Sequence, residues 1–493
     1  MRPNRREFLG NAVGGGLSLA FLSQLEPVSA AQARLDPSVV KVDEGIEPTV
    51  RLLEETPREK VLEEVAGRIR RGMSYREVLT ALFLAGVRNV QPRPQVGFKF
   101  HAVLVINSAH LASMSSPDSD RWLPIFWAID RFKSAQLETQ KTSGWRMSSV
   151  EESRVPRASK AREAFVHAMD NWDEQAADLA AAAMARTATR NDCFDLFAHY
   201  GARDFRDIGH KAIYVANSFR TLDAIGWHHA EPVLRSLAYA LLQHDGENPA
   251  KKPADADLHW QANLEQLKRV NANWQNGKET GASKQLLEVF RTGDEKTAPA
   301  RVVEALNEGA SIDAVWDSIL SGAGELLMRK TGIVTLHAVT SANALHYAFK
   351  TVSDPQTRLM LLLQNASFVT LFRRAANEKS LSKELIDGID KPSDTPALNE
   401  IFDAKDKATA ARGTLAYLDS GKNAEELMHA ARRLVFLKGN DAHDYKFSSA
   451  VLEDFYDISP AWRNRYLAAS MYYLPNNSAK DNALVERIRS AFS

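Results

Sequence analysis

The chain is almost without cysteine: of 493 residues, only Cys193 carries a thiol. No disulfide can form within it. Zinc sites built from several thiolates are excluded, as is haem attached through a Cys-x-x-Cys-His motif. Net charge is also absent, 62 basic residues balancing 62 acidic ones, so nucleic acid finds no electrostatic footprint here. No run reaches the roughly 20 apolar residues that cross a bilayer. No Gly-x-Gly-x-x-Gly follows a strand, which removes the signature of a flavin or nicotinamide fold. Strand-like alternation with β-branched residues is nearly missing. What remains is a helix-periodic sequence long enough for a large core, and it predicts an all-α fold of helical hairpins.

Two kinds of punctuation divide the chain. Asn4-Arg5-Arg6-Glu7-Phe8-Leu9, followed by a glycine-rich apolar run from Gly10 to Leu22, resembles a twin-arginine (Tat) export signal. Residues 1–33 are therefore expected to be a signal peptide, cut after Ala30 or Ala33, with the mature protein periplasmic or otherwise exported. The Tat translocase is then a partner during export, and that route is often used by proteins that load a cofactor before crossing. Further on, the segment 245–256 reads as a linker, and 276–283 is rich in turn residues. These place an N-terminal helical lobe at 34–275 and a C-terminal helical lobe at 276–493.

The residues that a plain core does not need are histidines and asparagines on apolar, small-residue helices. Phe100–Leu111 contains His101-Ala102-Val103, then Asn107 and His110; Thr335–Ala348 contains His337-Ala338-Val339, then Asn343 and His346. The spacing is the same, and His210 to Asn217 is a looser third copy, so an internal repeat is a candidate. At about 100° per residue, histidines nine apart point to opposite sides of a helix. Each helix therefore offers one histidine to a shared interior site, as in helical-bundle metal centres. Asp207, three residues before His210, has the spacing of a carboxylate that orients the ring or joins it on a metal. Gly226-Trp227-His228-His229 opens another helix, with one of its two histidines expected to face inward.

Some of these segments resemble a known family. Thr335–Phe349 with Leu359–Ala366 is similar to the His-Ala-Val-Thr segment and following helix of questin oxidase-like proteins. Gly226–His229 leading into Leu237-Ala238-Tyr239-Ala240-Leu241 is similar to that family's Gly-aromatic-His segment, and Ala81–Gly86 matches a shorter turn. The resemblance covers about a quarter of the chain. It implies an all-α oxidoreductase, the named member being an oxygenase that opens an anthraquinone ring. The matching histidines are His337 and His229 or His228. The export signal and the His101–His110 helix depart from the family pattern.

Three readings follow. The first is an exported oxidoreductase with a non-haem metal (Fe, Cu or Zn) held by His101, His210, His229, His337 and Asp207. The second is a metal-free enzyme in which His337, His229 and Tyr214 bind a small aromatic molecule and move protons. The third is a helical-repeat binding or scaffold protein whose histidines are hydrogen-bonded core groups.

Overall fold

Local signals start the helices. Ser74 accepts from the Glu77 amide while the Glu77 carboxylate accepts from the Ser74 amide, a capping box that begins Tyr75–Asn89. Ser311 caps Ile312–Arg329 through the Ala314 amide. Asp441 caps Ala442–Asp457. The computed structural model describes residues 40, 42–93 and 99–493. Among them the fold is all-α, with an isolated bridge between Glu279 and Ala310. The export-signal segment and its two cleavage positions lie outside the described residues.

The centre of the molecule is the helix Ile333–Thr351, buried continuously from Thr335 to Phe349. A helix that is apolar and small-residued all round has to be enclosed by others. Here the neighbours are Ile312–Arg329, Pro355–Ala375, His210–Ile225 and Ala442–Asp457. Helices from the two sides of residue 276 pack directly on one another: His210–Ile225 on Ile333–Thr351, Ile106–Met114 on Ala442–Asp457, and Asp255–Leu267 on Pro355–Ala375. No helix among the described residues is long and apolar enough to cross a membrane.

Ala161–Thr187 is two helices, Ala161–Asp170 and Glu174–Thr187, joined through Trp172 at a positive φ of 55°. The aromatic helix Leu123–Thr142 is followed by irregular chain with two short 3-10 turns, Glu152–Arg154 and Ala158–Lys160. Asp195 and His199 share a helix face but not an ion pair: Asp195 accepts from the Ser353 amide, and His199 packs edge-on against Trp260.

Candidate metal centre

Four histidines from four separate stretches meet inside the bundle. His101, His210, His337 and His443 are all buried, and each presents one ring nitrogen so that the four nitrogens lie within 4.8 Å of one another. The Nε2 atoms of His101 and His210 are 2.6 Å apart, and those of His337 and His210 are 2.9 Å apart.

The backbone explains how these rings reach one point. The turn before His210 places three successive residues at positive φ, Asp207 at 56°, Ile208 at 46° and Gly209 at 79°. A β-branched residue there is strained. The turn aims the Asp207 carbonyl at His210 Nδ1, 2.5 Å away. It also brings the start of the His210 helix against the central helix, where a Cβ on Gly209 would lie 2.7 Å from Ser341 Cβ. His337 Nδ1 donates to the Ile333 carbonyl one turn earlier at 2.7 Å. His443 sits in the first turn of its helix, and its Nδ1 donates to the Asp441 carboxylate at 2.6 Å. The motif asparagines join the helices rather than the site. Asn217 donates to the Leu104 carbonyl at 2.9 Å, beside the kink after His101–Leu104. Asn343 donates to Asp454 Oδ1 at 2.8 Å, tying the His337 helix to the His443 helix.

These contacts fix the tautomers. A neutral imidazole carries one proton, and a ring that donates through Nδ1 has a bare lone pair on Nε2. His210 and His337 are in that state, and His443 donates through the same ring nitrogen. Burial, reinforced by the charge of nearby Lys446, pushes His210 and His337 well below the usual histidine range, so both are neutral at pH 7. Their Nε2 atoms thus face each other at 2.9 Å with no proton between them. His443 Nε2 is buried and without a hydrogen-bond partner. Lone pairs converging on one point match a cation. With metal–nitrogen bonds of about 2.0–2.1 Å, neighbouring ligands sit about 2.9 Å apart at right angles and about 3.4 Å apart in a tetrahedron. The Asp441 carboxylate behind His443 is the kind of outer partner that orients a ligating ring. Burial works to raise this carboxyl, yet the His443 hydrogen bonds hold it at about 2.

A fifth polar group enters the cluster. Lys446 lies three residues after His443, on the same face of the helix, and its Nζ donates to His337 Nε2 at 3.3 Å. Burial pushes this amine down to about 7.

Of the residues singled out in the sequence, His101, His210 and His337 come together. Asp207 contributes its backbone carbonyl rather than a ligating carboxylate. His229 is buried but stands apart from the group of four, its ring centroid 3.9 Å from that of His228. The Tyr214 hydroxyl donates to Ser236 Oγ at 2.8 Å. The second motif histidines also lie elsewhere, His110 bonded to the Tyr75 hydroxyl and His346 against Trp316 and Asp457. His443 and Lys446 are the additions. Their signal was the Asp441-x-His443 pair at a helix start, with lysine one turn further on. Comparison with known proteins places the chain beside none of them: no family model, no curated protein and no solved structure matches it.

Proposed function

We propose that the four histidines hold one transition-metal ion and that the protein is an exported, metal-dependent oxidoreductase acting on a small molecule. The observation that carries the metal is the pair of facing lone pairs on His210 and His337, 2.9 Å apart, each ring having already committed its proton to a backbone carbonyl. His337 Nε2 also accepts from Lys446 and His210 Nε2 also meets His101 Nε2, yet the two lone pairs still abut each other, an arrangement that a shared cation relieves and that histidines serving only as core hydrogen-bonders do not need. An all-imidazole ligand set suits iron, copper and zinc. Such an ion polarises a bound oxygen atom or exchanges electrons with it. The oxidoreductase assignment is supported by the questin oxidase-like segments around His337 and His229, and export by the twin-arginine N-terminus.

Elemental analysis with an absorption spectrum, on protein secreted through its own N-terminal signal, tests this directly. Near-stoichiometric iron or copper is expected. Zinc alone would keep the metal centre and refute the redox assignment. Protein that is metal-free as isolated and takes up no iron, copper or zinc on reconstitution would overturn the proposal.

A further inference from the structure

The metal reading leaves Lys446 unexplained. Its amine is buried, and its one hydrogen bond goes to the His337 lone pair, the same lone pair that a metal ion would take. With an ion in place, the lysine head keeps its donors and loses its acceptor, and a buried donor left unsatisfied is destabilising. Charge points the same way. The group of four ligands contains no carboxylate, so a divalent ion among neutral imidazoles would remain doubly positive in a buried setting. The carboxylate of Asp441 is engaged by His443 through both its ring and its amide. A buried charge persists only when it is paired.

We propose that Lys446 and the histidine-bound metal together form a binding site for a small anion, of the size of hydroxide or azide, which ligates the ion and accepts a hydrogen bond from Nζ. This rests on the metal reading and adds to it the class of ligand that enters the centre. One atom about 2.0 Å from the ion and about 2.8 Å from Nζ satisfies both partners. The burial of His337 and Lys446 restricts the ligand to a few atoms. His443 and Lys446 lie on one helix face, so a single element supplies both a metal ligand and the anion's hydrogen-bond donor.

The probe is azide, titrated into cobalt(II)-loaded full-length protein and followed by the cobalt absorption bands. The expected result is one cobalt per chain, saturable azide binding, and at least tenfold weaker azide binding in K446M at unchanged cobalt content. K446Q, which keeps an N–H donor without the charge, is expected to fall between the two. It also carries the test if K446M does not fold. Azide affinity within twofold of wild type in a cobalt-replete Lys446 variant would overturn the proposal. So would cobalt-replete wild-type protein that binds no azide. Failure to hold cobalt at all would remove the metal reading and the anion site together, and cobalt stoichiometry distinguishes that failure from the others.

Discussion

Replacing His210 by leucine separates a metal ligand from a structural histidine, because the two roles predict opposite responses to metal. His210 makes both close nitrogen contacts of the cluster, at 2.6 Å to His101 and 2.9 Å to His337, and its remaining bond is to the Asp207 carbonyl. Without metal, H210L gives up the Asp207 hydrogen bond and the contact with His101, about 1 kcal/mol each at most. It also removes the lone-pair contact with His337, and leucine fills most of the ring's volume. A net change within about 1–2 kcal/mol is expected. With metal the cost is larger. The pairs His101/His210 and His210/His337 are separated by 109 and 127 residues, so an unfolded chain cannot gather the ligands and the ion binds the native state alone. At an ion concentration 1,000 times Kd that linkage is worth about 4 kcal/mol. Wild-type protein should therefore lose about 4 kcal/mol on exhaustive chelation, and H210L should lose almost nothing. Urea unfolding with and without a strong chelator, monitored by circular dichroism, reads both numbers. Equal penalties for H210L in the two conditions would refute the metal argument and make the ring an ordinary core group.

Three other outcomes follow from the same geometry. G209A is expected to destabilise the fold by about 2–4 kcal/mol and to lower metal content, since alanine at a φ of 79° is strained and its Cβ would sit 2.7 Å from Ser341 Cβ; thermal unfolding and elemental analysis check both parts. D441N, which weakens the acceptor behind His443 Nδ1, should reduce metal affinity by about 10–100-fold while leaving the helix content intact; a competition titration against a chromophoric chelator measures it. Asp454 is fully enclosed, and burial pushes its carboxyl up to about 8 despite hydrogen bonds from Asn343 and Tyr466. The folded state then holds a proton that the unfolded state releases near pH 4. Stability from this group is present at low pH and declines as pH rises from about 4 to 8. D454N should flatten that decline in denaturant titrations across the range, and an unchanged slope would rule it out.

The fold class and much of the helix order were legible because helix periodicity, caps and small-residue runs are local signals. Ile312–Arg329 starts at a serine that caps it, and the Ser74 capping box forms as its spacing implies. Three of the four clustered histidines were legible for a related reason. A polar ring inside a wholly apolar helix has to meet something, and His101, His210 and His337 meet one another. His443 was obscure because it opens a helix, where a histidine beside a capping aspartate reads as surface chemistry. The partition between ligands and neighbours was not legible either. Asp207 was grouped with the site by its spacing to His210, and His229 by its place at a helix start within a segment that resembles a known family. In three dimensions the strained turn uses Asp207 through its backbone, and the short helical turn at Trp227–His229 keeps His229 with His228, apart from the four. Tertiary placement decided these cases, and no periodicity within a single segment encodes it.

The contact between Gly209 and Ser341 also bears on how this sequence can change over generations. The two positions are far apart in the chain, yet they share one small volume at the crossing of two histidine-bearing helices. A larger residue at 341 meets the same obstacle from the opposite side as a side chain at 209. Neither site can drift towards bulk unless the crossing opens, and opening it moves His210 away from His337. In diverged copies of this chain that keep all four histidines, positions 209 and 341 should vary as a linked pair confined to small residues. Copies that lose the histidines are free of that restriction.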